Sequence, residues 1–197
     1  FIFRLQEHLE RLAFSMRVIE LEDPPSLDFF ADGIIKTLQA NDFREDTYVR
    51  VQAYIDDWGD MSATKPVGTS IICRPRGRTA AFTTGRPFLV SSWRRLSDDA
   101  SPPRIKATAN YLNSRLASLE AKRNGGASAI LLNSDGTVSE GPGGCIFLRR
   151  GNVLITPHLT SGILESITRL TLIDIAESLD LEAVSYTHLR AHETPLH

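Results

Sequence analysis

The stretch TYVRVQAYI, residues 47–55, alternates without a break. Val49, Val51, Ala53 and Ile55 take one set of positions, and Tyr48, Arg50, Gln52 and Tyr54 take the other. Side chains of an extended strand point to its two faces in turn, so this period of two predicts a half-buried strand with one apolar and one polar face. The apolar face needs a covering layer, and the sequence just before it offers two helices. Leu5, Leu9, Leu12, Ala13 and Met16 recur at helical spacing and predict a helix over residues 6–16. Pro24 and Pro25 then break the chain, and Ser26 is suited to cap a second helix to about residue 40. That helix would carry Leu27, Phe30, Ala31, Ile34, Ile35 and Leu38 on one face. A first part made of helices on a sheet follows.

Further strands are expected at residues 69–73 and 88–93. Between them RPRGRTAAFTTGRP, residues 74–87, has turn residues and no period, which reads as a linker. A domain boundary is placed near residue 80, giving parts 1–79 and 80–184. In the second part a helix over residues 111–123 is expected to bury Leu112, Leu116 and Leu119 and to end at Gly125. ASAILL reads as a strand, NSDG as a hairpin turn, and TVSEG, CIFLRR and VLITP as further strands. A last helix over residues 166–179 would bury Leu172, Ile175, Ala176 and Leu179. Helices lead, short strands follow and a helix closes. The order describes a mixed α and β protein of two parts, not a regular β-α-β alternation.

The chain of 197 residues, 42% hydrophobic and 23% charged, can bury one sizeable core or two small ones. A net charge of −2 leaves no electrostatic footprint for nucleic acid or an anionic membrane, and no apolar run is long enough to span a bilayer. No basic-then-apolar leader precedes the fold, and Cys73 and Cys145 make no disulfide framework, so a reducing cytoplasm is expected. The chain opens at Phe1 without a methionine, as a fragment would. Residues 185–197, SYTHLRAHETPLH, hold His188, His192 and His197 with no scaffold to converge them, so no metal site is expected there. The stretch resembles translated sequencing adapter and is set outside the fold as a foreign tail.

Lys106 precedes the helix with Ala107, Thr108 and Ala109 behind it, leaving room for a flat group against the backbone. A lysine amine that is partly desolvated can form a Schiff base with a carbonyl. Pyridoxal phosphate needs such a lysine, an acid for its pyridine nitrogen, a donor for its ring hydroxyl and a phosphate cradle. Glu140 in SEGPGG can be the acid, and Tyr111 stands five residues past Lys106. ESITR, residues 165–169, opens a helix whose N–H groups, with the Thr168 hydroxyl, make an anion site. Arg11, beside the apolar stripe of the first helix, can add a bidentate contact. Each residue also has an ordinary structural reading: a solvated lysine, a turn glutamate, a core tyrosine, a plain helix end, a solvated arginine. The residues taken singly leave that choice open.

Six segments together resemble the class IV pyridoxal-phosphate aminotransferases, and the branched-chain amino acid aminotransferases among them. They are EHLERL (7–12), YVR (48–50), VSSW (90–93), KATANYLNS (106–114), SEGPGG (139–144) and TPHLTSGILESITR (156–169). The resemblance implies a small N-terminal α/β domain and a C-terminal pseudo-barrel domain, here incomplete at both ends, with the cofactor between them. It makes Lys106 the lysine that carries the cofactor and shuttles the proton. Tyr111 becomes the partner of the ring hydroxyl and Glu140 that of the pyridine nitrogen. Arg11, the Ile167 backbone and Thr168 become phosphate ligands. Tyr48 and Arg50 would line the substrate pocket, with Arg50 admitting the side-chain carboxylate of glutamate. The implied reaction moves the amino group of leucine, isoleucine or valine to 2-oxoglutarate in a cytoplasmic homodimer, with no nucleic acid or membrane partner. Cys145 departs from the asparagine usual at its position. Arg74, Arg76 and Arg78 stand where an aromatic residue is usual, either as a solvated linker or as a bias toward a more acidic substrate. D-amino acid transfer, lysis of aminodeoxychorismate, and a truncated inactive or merely cofactor-binding chain are the alternatives.

Overall fold

Helix α1 (Leu5–Val18) and helix α2 (Leu27–Asn41) form where apolar periodicity put them. Ser26 caps α2 through its hydroxyl, which accepts from the Phe29 N–H at 3.2 Å. Strand β1 (Thr47–Ile55) has the ends read from its alternation and pairs antiparallel with β2 (Val67–Pro75), Thr47 opposite Pro75 and Ile55 opposite Val67. The apolar face of β1 packs on a core of Leu9, Met16, Leu21, Phe30 and Ile34 contributed mainly by the two helices. Gly33 lets α2 approach β2 closely: a Cβ there would lie 2.6 Å from the Ile71 side chain. Tyr48, Arg50, Gln52 and Tyr54 are left on the opposite face.

The computed structural model describes residues 1–77 and 84–190. The chain divides into two units, Phe1–Thr84 and Gly85–His197. The boundary expected near residue 80 falls outside the described residues. Arg74 and Pro75, read as linker, belong to β2.

In the second unit β3 (Phe88–Arg94) leads through α3 (Asn110–Arg123) to β4 (Ser128–Leu132), and β3 and β4 pair parallel. Next, β5 (Leu148–Arg150) pairs antiparallel with β6 (Val153–Pro157). β6 leads through α4 (Ile167–Ser178) to β7 (Glu182–Tyr186), again a parallel pair. The fold is mixed α and β, as expected, but it contains two β-α-β crossovers that the sequence reading did not recognise. Parallel neighbours require a long connection, and α3 and α4 supply it. NSDG makes its turn, with the Gly136 N–H donating to the Asn133 carbonyl at 3.0 Å. TVSEG forms bridges rather than a full strand, and only the end of CIFLRR is extended.

The buried faces of α3 and α4 differ from expectation. On α3 the buried residues are Asn110, Asn113, Ser114, Ala117 and Ala121, while Leu112 is 64% exposed and Leu119 37% exposed. The helix lies close against β3 and β4, where only small side chains fit; a Cβ on the nearby Gly126 would come within 2.7 Å of Leu89. On α4, Ile167, Arg169 and Ala176 are buried, whereas Leu172, Ile175 and Leu179 are exposed. Gly125 does end α3, at φ +82.

Part of the segment set outside the fold is within it. Ser185 and Tyr186 complete β7 against Thr156 and Pro157 of β6. Leu189 is 3% exposed and joins Leu132, Val138 and Ile155 in a core cluster, and Arg190 bridges to Thr137. The parallel pairing with β6 and this apolar contact hold the segment to the unit. His192 and His197 lie outside the described residues. Among the described residues no helix is long and apolar enough to cross a membrane.

Candidate active site

Lys106 ends the connection from β3 to α3. The first residue of α3, Asn110, is buried and donates through Nδ2 to the carbonyls of Pro102, at 3.0 Å, and Ile105, at 3.3 Å. The backbone next to Lys106 is thereby tied to the helix start. One turn on, Tyr111 receives the lysine: Nζ donates to the phenol oxygen at 2.8 Å and lies 5.4 Å from the ring centroid. Both side chains are exposed, so the small residues after Lys106 leave space without burying its amine.

Glu140 sits opposite β4. The Leu131 N–H donates to the Glu140 carbonyl at 3.0 Å, and the Ser139 N–H returns to the Leu131 carbonyl at 2.9 Å. The turn at residues 133–136 thus sets the position of the carboxyl, which is buried, the residue being 7% exposed. Arg95 Nη2 lies 2.7 Å from Oε1, and the Leu164 N–H donates to Oε2 at 3.3 Å. Burial pushes the Glu140 carboxyl up to about 7, against the pull of Arg95, the Leu164 N–H and Lys106. Arg95 Nε and the Ser139 hydroxyl both donate to the Gly162 carbonyl at 3.0 Å. Gly162 has φ +65, and a Cβ on it would come within 2.7 Å of Asn133 Oδ1, so this bend requires glycine.

That bend leads into α4. Ser166 caps it, accepting from the Arg169 N–H at 3.3 Å, and Ile167 and Thr168 are its first two residues. N–H groups in a first helical turn lack carbonyl partners within the helix and favour anions. Beneath lies Arg169, buried, donating to Thr156 Oγ1 at 3.3 Å, to the Pro157 carbonyl at 3.2 Å and to Ser185 Oγ at 2.5 Å. Burial pulls its pKa down. Among the described residues no carboxylate stands within ion-pair distance of it. Cys145 lies between the two regions: burial raises its thiol pKa, with Ser166 and Arg169 pulling down and Glu140 adding to the rise.

Lys106, Tyr111, Glu140, Ile167 and Thr168 therefore all lie in the second unit, the first two in direct contact and Lys106 close enough to act on Glu140. An amine beside a phenol, a buried carboxyl of intermediate acidity and an anion-receptive helix start suit a phosphorylated pyridine aldehyde. Arg11, Tyr48 and Arg50 belong to the first unit. Arg11 is half-buried on α1, with Nη2 3.4 Å from His8 Nδ1. Tyr48 and Arg50 lie two residues apart on the polar face of β1. Arg95 and Gly162 were missed by the sequence reading. A second arginine directly after a strand looks solvated, and its partner is distant in sequence. No group of His, Cys, Asp or Glu among the described residues gathers to hold a metal ion.

The profile of the amino-transferase class IV family matches residues 1–195. The branched-chain-amino-acid aminotransferase of Escherichia coli K12 is 33% identical in an alignment of 188 positions that covers 92% of this chain and 60% of that enzyme. A crystal structure of the branched-chain amino acid aminotransferase from Thermobaculum terrenum in its PLP form superposes with a TM-score of 0.89 at 41% identity, covering 96% of this chain and 63% of that one. The branched-chain aminotransferase from Thermoproteus uzoniensis, solved with norvaline, gives 0.88 at 37% identity, covering 97% and 64%. The chain thus spans less than two thirds of the length of these relatives. The match runs through every element that builds the Lys106–Tyr111–Glu140 site, and the chain belongs to the class IV aminotransferase family.

Proposed function

We propose that the chain carries the core of a pyridoxal 5'-phosphate-dependent aminotransferase that moves the amino group of a branched-chain L-amino acid to 2-oxoglutarate, giving the 2-oxo acid and L-glutamate. The observation that carries this reading is the Lys106–Tyr111 pair at 2.8 Å near the buried carboxyl of Glu140. The relatives named above, two of them solved as branched-chain enzymes, support the substrate class.

When bound, pyridoxal phosphate supplies an aldehyde for amines and a ring that takes up electron density from the bonds at a substrate's Cα. Glu140 would hold the ring nitrogen, Tyr111 the ring hydroxyl, and the Ile167 N–H and Thr168, with Arg11, the phosphate. While the bound cofactor supplies the electron sink, the Lys106 amine would take up the proton from the substrate Cα and hold it for return. Its contact with the Tyr111 oxygen keeps it oriented. Arg95 favours the ionised form of Glu140, the form that accepts a hydrogen bond from a protonated ring nitrogen. Tyr48 and Arg50 would meet the substrate side chain, Arg50 through the distal carboxylate of glutamate. The proposal includes a cytoplasmic homodimer with amino acids and 2-oxo acids as its partners, and no nucleic acid or membrane.

The test is the visible absorbance of the purified chain with added pyridoxal phosphate, beside Lys106→Ala. A band that needs Lys106 and bleaches with leucine is expected. A band that ignores leucine and responds to D-alanine would overturn the substrate assignment, and a band indifferent to Lys106 would overturn its role.

A further inference from the structure

Tyr48 on β1 stands opposite Arg74 on β2, and the ladder continues where the Arg76 N–H donates to the Asp46 carbonyl at 2.7 Å. Opposed residues of an antiparallel pair share a face, so Asp46, Tyr48 and Arg50 lie with Ile72, Arg74 and Arg76, away from the core. The guanidinium carbons of Arg74 and Arg76 lie 5.3 Å and 5.6 Å from the centroid of the one Tyr48 ring. Three arginines against one aspartate leave this end of the face positively charged. Among the described residues, no carboxylate lies within ion-pair distance of Arg50, Arg74 or Arg76. Two like charges braced on one half-buried aromatic ring repel each other, and the ring's attraction for each is modest. An anion between them removes the repulsion, and the planar fork of a guanidinium fits a carboxylate with two parallel hydrogen bonds.

We propose that Arg74 and Arg76, braced on Tyr48, form a carboxylate-recognition site that favours dicarboxylic amino acids and 2-oxo acids over the apolar branched partner of the same reaction. The assignment rests on the reading that Tyr48 and Arg50 line the substrate pocket. Arg50 alone would meet one distal carboxylate. The added pair raises the local positive potential and makes insertion of an apolar side chain beside it less favourable.

The experiment titrates the whole chain with glutarate and with isovalerate, five-carbon probes with two carboxylates and one, at low ionic strength. The chain, the double variant Arg74→Gln/Arg76→Gln and Arg74→Lys/Arg76→Lys are compared by calorimetry. Glutarate is expected to bind about 10-fold more tightly than isovalerate, the margin of one charge-assisted hydrogen-bond pair. The glutamine variant should lose most of that margin, keeping only what Arg50 supplies, with isovalerate bound no more weakly, and the lysine variant should keep more of it. Added salt should shrink the margin by screening. Equal binding of the two probes, or a glutamine variant whose preference for glutarate matches that of the unaltered chain, overturns the proposal. A second arm reads kcat/KM for glutamate relative to leucine, and an unchanged ratio in the glutamine variant also overturns it. If the chain catalyses no transfer but loses glutarate binding with Arg74 and Arg76, the reaction assignment fails and the carboxylate site stands.

Discussion

The buried pair of Arg95 and Glu140 shows how one missed residue changes the chemistry of one that was found. Burial raises the Glu140 carboxyl to about 7, and Arg95 is the strongest of the groups that pull against that rise. Between about 4.5, where the carboxyl titrates in the unfolded chain, and about 7, the folded state binds more protons than the unfolded state. Stability therefore falls as pH rises through that window. Arg95→Met should push the folded value higher still and leave an uncompensated charge once the carboxyl ionises. We expect a loss of about 3 kcal/mol at pH 8 and a smaller loss at pH 5, where the carboxyl is neutral, read from denaturant unfolding at both pH values. Equal losses at the two pH values would show that Arg95 acts only through its bond to the Gly162 carbonyl. Lys106, Tyr111 and Glu140 stood out as candidates in the sequence because small neighbours, sequence separation and a glycine-rich turn are local signals. Arg95 did not, because its partners come from loops that only the folded chain brings to it.

At the scale of elements, positions were legible and some faces were not. β1 was read with its ends and both faces, because a period of two assigns each side chain without reference to a partner. α1 and α2 followed for the same reason, their stripes being wide and apolar. α3 misled: its leucines look like a buried stripe, yet the sheet beneath accepts only alanine, serine and asparagine. How close a helix approaches a sheet is set by the partner, here Leu89, Ala129 and Leu131, and not by the helix. Substitutions should therefore rank against the sequence pattern. Ala117→Leu, at a fully buried site, should cost about 1–3 kcal/mol by overpacking. Leu112→Ser should stay within about 0.5 kcal/mol. Thermal unfolding of both variants, at a dilution where the chain is monomeric, decides it, and a Leu112 variant less stable than the Ala117 variant would mean that α3 is turned otherwise.

At the scale of the molecule, the parallel pairings were not legible in the sequence, because they join strands across a whole helix. The second unit also exposes large apolar side chains: Phe88 and Trp93 on β3, Leu112 and Leu119 on α3, Ile175 and Leu179 at the end of α4. Single exposed apolar residues are common, but six in one unit leave apolar surface that water covers poorly. The proposed homodimer gives that surface an occupant, a second copy of the chain. Association that buries apolar side chains is driven by mass action, so it should be visible as a concentration dependence. Light scattering on the eluting chain should give twice its 21.8 kDa mass at micromolar concentration. Binding of a dye that fluoresces on apolar surface should fall as the dimer fills. Dilution should reverse both together, and Leu112→Glu should reverse them at a higher concentration than the unaltered chain requires. A mass of 21.8 kDa at every concentration, with dye binding unchanged, would remove the dimer from the proposal while leaving the Lys106 site to its own test.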